Sequence, residues 1–121
     1  MHVTRVHDAP FYFPPAHVDM RCLRLQGHEA GPSSMLWMGL SHLLPGAKTS
    51  LDASPFEKLY IVLDGEVTVS TGEEEVVLKR WDSCRIAPGE PRALGNVTNL
   101  PASILLAMPL APRPSGPAGL P

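Results

Sequence analysis

The chain reads as a single all-β domain, a barrel or sandwich of short strands, and three observations predict this. Fourteen prolines and ten glycines among 121 residues interrupt the chain too often for long helices. Short β-rich runs recur at even spacing, each bounded by turn-forming residues. The runs LYIVL and EVTVS flank Asp64-Gly65, a dipeptide suited to a type I′ hairpin turn. One core commonly serves about 100 to 150 residues, so no second domain is expected, and 44% hydrophobic residues suffice to fill that core.

Along the chain, FYFPPAH over residues 11–17 carries adjacent prolines and predicts an extended arm. DMRCLRLQG alternates Met20, Cys22 or Leu23, and Leu25 with polar residues, the period of a half-buried strand ending at Gly27. HEAGPSS is a loop. MLWMGLSHLL, residues 35–44, is apolar enough for a helix, but Gly39 within it and Pro45-Gly46 after it favour a strand. On that strand Met38, Leu40 and His42 share a face, and the pattern leaves open which face points inward. EEVVLK, SCRIA and SILLAM complete the strand-like runs, and APRPSGPAGLP has almost nothing to bury. The expected organisation is an arm with first strands over 1–34, a barrel core over 35–109 and a flexible Pro/Gly tail over 110–121, all in one domain.

A net charge of −2 and a sequence pI near 6.2 leave no basic excess for nucleic acid or an anionic membrane. No apolar run approaches the roughly 18 residues of a membrane span, and MHVTRVHDAP lacks a signal-peptide h-region. A soluble, cytoplasmic protein is expected. Cys22 and Cys84, 62 positions apart, predict free thiols rather than a disulfide framework. There is no phosphate-binding glycine loop, no Gly-x-Ser-x-Gly and no Cys-x-x-Cys.

The stretch GAKTSLDASPFEKLYIVLDG, residues 46–65, resembles the first motif of the cupin family, G-x5-H-x-H-x3-E-x6-G. Gly46 and Gly65 take its glycine positions, and Asp52, Ser54 and Lys58 stand where the family usually has His, His and Glu. WDSCRIAPGEPRALGN, residues 81–96, is similar to the second motif, G-D-x4-P-x-G-x2-H-x3-N. It keeps Asp82, Gly89 and Asn96, replaces the histidine by Arg92 and the first glycine by Trp81, and shifts the proline to Pro88. The resemblance spans about residues 36–108. It implies a double-stranded β-helix jelly roll, a barrel pocket and often a dimer.

Protonated lysine and arginine have no lone pair for a cation, so Lys58 and Arg92 argue against a metal, and no cofactor is expected. If Asp52, Ser54, Lys58 and Arg92 face the cavity, their formal charges sum to +1 and suit a small anionic metabolite. Asp52 is the expected general base, with His42 as a second acid or base. Lys58 would stabilise a developing enolate or, in a sharper variant, form a Schiff base, while Arg92, Ser54 and Tyr60 would bind substrate. The expected function is a cofactor-free isomerase, epimerase, tautomerase or lyase such as a decarboxylase, acting on a small carboxylate or oxo-acid. Three other readings stand beside it. One is a sensor or carrier without turnover. Another is a metal site built from His42, Asp52, Glu57 or His28. In the third, Asp52, Lys58 and Arg92 form a buried ion-pair cluster that only fills space.

Glu57 and the run Glu73-Glu74-Glu75 are expected in solvent. Tyr60 and Val62 share the parity of Lys58 and should line the same wall. Trp37, Trp81, Met35 and Met38 read as core or dimer interface. His2, His7 and His17 read as surface residues of the arm. The arm is expected to pair with the sheet edge of a second copy in a homodimer.

Overall fold

The computed structural model describes residues 1–111, and it is an all-β barrel. Nine strands form one sheet: β1 (Phe11–Tyr12), β2 (His17–Gln26), β3 (Leu36–Thr49), β4 (Lys58–Asp64), β5 (Val67–Ser70), β6 (Glu75–Leu78), β7 (Ser83–Ile86), β8 (Ala93–Gly95) and β9 (Ala102–Pro109). The strand order is β6-β5-β8-β3-β9-β4-β7, with β2 also on β3 and β1 on β2. Among the described residues no helix is long and apolar enough to cross a membrane. The expected tail begins at Leu110, whose N–H donates to the Met35 carbonyl at 2.9 Å, and residues 112–121 lie outside the described residues.

Alternation along the strands builds the interior. On β4, Lys58, Tyr60 and Val62 are buried while Leu59 is exposed, as period-two geometry requires. Leu43, Val62, Val67, Val69, Ile86, Leu94 and Ile104 fill the barrel. Met38, Leu40 and His42 do share a face, and it is the outer one, opposite the wall that carries Trp37 and Leu43. There Leu40 is covered by Ala9 and Leu23.

Several expectations are corrected. β3 does not stop before Pro45-Gly46 but runs through it to Thr49, because Gly46 takes φ +85° and lets the strand bend onto β8 at Lys48 and Gly95. Asp64-Gly65 does not close a hairpin: β4 pairs with β7 and β9, and β5 pairs with β6 and β8. A type I′ turn needs φ above zero at both central residues, and only Gly65, at +72°, has it. The chain instead crosses from one half of the barrel to the other. β1 and β8 are strands that the pattern did not suggest, since two or three residues carry too little periodicity to read. The arm's β1 pairs with the chain's own β2, Phe11 opposite Leu23 and Tyr12 opposite Cys22.

The second motif's positions serve the backbone. Asn96 is 1% exposed, and its amide donates to the carbonyls of Leu43 at 3.1 Å and Leu100 at 2.8 Å while its oxygen accepts from the Thr98 N–H and hydroxyl. A fully satisfied buried amide pins the loop between β8 and β9 to the middle of β3. Trp81, where the family has glycine, sits at φ +73° and is exposed together with Met35 and Met38, so of the four residues read as core or interface only Trp37 is buried.

The two motif glycines separate two kinds of constraint. Gly65 has a left-handed φ, and an added Cβ would lie 2.6 Å from the Pro101 carbonyl, whereas Gly46 at +85° has open space around it. Gly46→Ala is expected to lose about 1 kcal/mol, the left-handed penalty alone, and Gly65→Ala about 2 kcal/mol or more through the added backbone clash. Urea denaturation of the two variants checks this, and equal losses would remove the close approach as a constraint.

Candidate functional site

A cavity of about 490 Å³ opens at one end of the barrel, within the range of about 300 to 1,000 Å³ usual for small-molecule sites. Lys58 and Arg92 lie in its floor and wall, with Leu106, Met108 and Trp37 as apolar lining and Tyr12, Phe13, Pro14, Pro15 and His17 of the arm across its mouth. Arg24 and Glu29 complete it.

The two interior cations are positioned by backbone pairing. Arg92 exchanges both backbone hydrogen bonds with Asp52, 2.9 and 3.1 Å, and the Gly89 N–H donates to the Ser54 carbonyl at 2.8 Å. These bonds bring the two motifs side by side whatever side chains they carry. Lys58, 4% exposed, lies opposite Ile86 on β7 and donates from Nζ to the Ser54 hydroxyl at 2.8 Å. The guanidinium of Arg92 donates to Thr49 Oγ1 at 3.0 Å, an oxygen that also accepts from the Leu94 N–H.

Among the described residues no carboxylate neutralises either cation. The ion pairs among the described residues are His7–Asp8, Arg24–Glu29 and Arg85–Glu57. The Arg92 Nε is buried without a hydrogen-bond partner. Burial, with the positive charge of Arg92 beside it, holds the Lys58 ammonium below the ordinary lysine range. Burial pushes the Tyr60 phenol up to about 12, against the pull of Arg92.

The predicted residues thus divide. Lys58 and Arg92 meet in the cavity, Ser54 stands behind Lys58 as its acceptor, and Tyr60 is buried in the wall beside Arg92 without lining the cavity. Asp52 pairs with Arg92 through its backbone, and its carboxylate acts on His17 only through its charge. Its side chain is exposed and accepts from the Ser50 hydroxyl, so the buried Asp52–Lys58–Arg92 cluster does not form. His42 is on the outer face, 2.8 Å from the Ser103 hydroxyl, because its strand parity opposes that of the cavity wall. Glu57, half-buried, pairs with Arg85 on the neighbouring strand.

His17, read as a surface residue, is a cavity residue. Its Nδ1 contacts the Pro15 carbonyl at 2.8 Å, which can only accept, so Nδ1 carries the hydrogen and Nε2 keeps its lone pair. Burial lowers its pKa, and the charge of Arg92 adds to this against the opposing Pro15 hydrogen bond and Asp52 carboxylate; the ring is neutral at pH 7 and Nε2 can accept a proton. Arg24 stacks between rings, its guanidinium carbon 3.7 Å from the Tyr12 centroid and 4.3 Å from that of Trp37, while Nε donates to Glu29 at 3.4 Å. The available signal was FYFPPAH itself, an aromatic and histidine-bearing arm held extended by its prolines.

The residues do not fit a divalent cation. Two buried cations occupy the inner motif positions, and among the described residues no three His, Cys, Asp or Glu side chains converge.

The family model described as a cupin domain matches residues 39–108. The chain belongs to the cupin family. It is 40% identical over 108 residues to a protein of Mycobacterium tuberculosis named β-D-galactosidase, covering 89% of this chain and 93% of that one. It is 32% identical over 80 residues to the tetracenomycin polyketide synthase protein TcmJ of Streptomyces glaucescens, covering 64% and 54% respectively. Among solved cupins, the polyketide cyclase RemF of Streptomyces resistomycificus superposes with a TM-score of 0.82 at 15% identity, covering 94% of this chain and 82% of that one. A sugar phosphate isomerase from Silicibacter pomeroyi superposes with a TM-score of 0.76 at 22% identity, covering 89% and 75%. These likenesses establish the jelly-roll barrel.

Alkaline spectrophotometric titration of this cupin is expected to show both tyrosines, Tyr12 and Tyr60, ionising near 12 rather than at the ordinary 10.0. The folded state keeps these protons longer than the unfolded chain does. The stability they contribute is therefore complete below the unfolded value of 10.0 and is lost as pH rises through about 12. A tyrosinate signal near 10 in the native protein would place a phenol in open water.

Proposed function

We propose that this cupin binds a small carboxylate or oxo-acid between Lys58 and Arg92 and isomerises or cleaves it by metal-independent acid–base chemistry. The observation that carries the reading is the pair of buried cations lining one cavity with no carboxylate partner, one of them with an unsatisfied Nε. A buried unpaired charge is strongly unfavourable, and an anionic ligand removes the penalty at both residues. Arg92 offers a planar fork for a carboxylate, and the Lys58 ammonium stands where negative charge develops on a neighbouring carbonyl oxygen. His17, neutral with Nε2 free, replaces Asp52 as the base in this reading, taking a proton from the carbon beside the carbonyl.

The name of the M. tuberculosis relative favours a second reading, hydrolysis of a β-galactoside. Glycoside hydrolysis generally uses two carboxyl groups about 5 to 9.5 Å apart across the bond. Glu29 is the carboxylate among the described residues that lines the cavity, and Arg24 holds it. The cation pair therefore favours the acid over the sugar.

A ligand that binds only the folded protein stabilises it by about 2.7 kcal/mol at one hundred times its Kd. Thermal-shift measurements are expected to show stabilisation by pyruvate and related oxo-acids, none by divalent cations alone, and loss of the oxo-acid effect in Arg92→Gln. Exchange of the protons beside the pyruvate carbonyl with deuterated water, followed by NMR, is expected to fall at least tenfold in His17→Gln. Binding without exchange would leave a sensor or carrier. Stabilisation by metal alone, or turnover of a nitrophenyl β-galactoside without any oxo-acid effect, would overturn the reading.

Lys58→Met and Arg92→Met are expected to keep or raise the melting temperature while abolishing the oxo-acid shift, because each removes an uncompensated interior charge. Loss of several kcal/mol on either substitution would assign the cations a structural role instead.

A further inference from the structure

We propose that Lys58 acts covalently, condensing through Nζ with the ketone of a bound 2-oxo acid to form an imine. The inference rests on the oxo-acid reading above and deepens it by naming the substrate class and the bond that forms. Three features of the geometry point to it. Lys58 is interior, yet it opens on a cavity large enough for a small acid. Its one hydrogen-bond partner is the Ser54 hydroxyl at 2.8 Å, a neutral group that accepts a hydrogen from the amine in either protonation state and does not hold it as an ammonium. A carboxylate there would favour the charged form.

The charge facing Lys58 favours its neutral form, while the Asp52 carboxylate near His17 is exposed and engaged by the Ser50 hydroxyl. Arg92 faces Lys58 from the segment leading into β8, and burial together with that charge shifts the amine toward its neutral form. His17 on β2 adds no charge while neutral, and across the cavity Glu29 is taken up by Arg24. Tyr60, next but one on the same strand, keeps its proton throughout the neutral range.

The step balances without a co-reactant. The Nζ lone pair attacks the ketone carbon, the two hydrogens of the neutral amine pass to the carbonyl oxygen, which leaves as water, with the Ser54 hydroxyl in reach of Nζ for these transfers, and the C=N bond that replaces C=O takes a proton from solvent to become the iminium. His17 then takes a proton from the adjacent carbon and the C–H electron pair moves into the iminium, giving an enamine. Reprotonation on carbon and hydrolysis return the oxo acid and the free lysine. Arg92 holds the carboxylate throughout.

Lys48 and Lys79 are exposed and serve as internal controls. Full-length protein incubated with pyruvate at neutral pH and treated with sodium borohydride is expected to gain one reduced pyruvyl group. Peptide mass spectrometry should place it on Lys58 in at least tenfold preference to Lys48 and Lys79. Lys58→Arg, with its melting temperature measured alongside, should lose the adduct, and Ser54→Ala should slow its formation. Absence of an adduct on Lys58 while pyruvate still raises the melting temperature overturns the imine and leaves the acid–base reading standing. Absence of both overturns both. Labelling spread evenly over the three lysines shows ordinary surface chemistry and overturns the imine.

Discussion

Two positive charges inside a barrel, without an acid to answer them, are the constraint around which the rest of this structure is organised. Lys58 and Arg92 are 4% and 9% exposed, and their nearest polar partners are neutral hydroxyls. Hydroxyls solvate a cation but do not cancel it. The apolar core must therefore supply the stability that these residues withhold, and Leu43, Val62, Val67 and Ile104, all at 1% exposure or less, pack the closed part of the barrel immediately below. Site and core divide the interior between them.

The frame that holds the cations is made of backbone and of groups away from the ligand positions. Asp52 and Arg92 are joined through their main chains, Ser54 receives the Gly89 N–H through its carbonyl, and Asn96 ties Leu43 to Leu100. Substituting the side chains at the metal positions leaves every one of these bonds intact. That independence explains how a barrel can exchange histidines and a glutamate for an aspartate, a serine, a lysine and an arginine without losing its shape, and why shared fold transmits so little about reaction.

Much of the architecture was legible because it is written in strong local signals. The alternation of Lys58, Tyr60 and Val62, the turn residues between short strands and the two motif spacings each specify something that tertiary structure has no reason to override. The failures are equally physical. His42 is a candidate that parity cannot place, because parity defines which residues share a face but not which face is inward; packing of Leu40 with Ala9 and Leu23 marks that face as the outer one. Asp52 was placed in the pocket because a motif gives positions, whereas its side chain follows the local Ser50 contact. Asp64-Gly65 looked like a hairpin because the dipeptide permits one, while the strand partners are chosen by burial across the barrel.

His17 shows what a linear reading most easily loses. Nothing near it in sequence has the pattern of a site, and the adjacent prolines suggest a loose arm. Yet Tyr12, Phe13, Pro14, Pro15 and His17 border a cavity lined by Leu106, Met108 and Trp37, although Phe13 itself stays exposed. The course of the arm brings a half-buried imidazole to the cavity, the Pro15 carbonyl fixing Nδ1 as the donor. The same burial keeps the ring neutral, since a charged imidazolium would be a third cation in a space that already holds two. The path of the proline-rich arm, rather than burial of its aromatic residue, is thus what sets an available base beside the barrel's two cations.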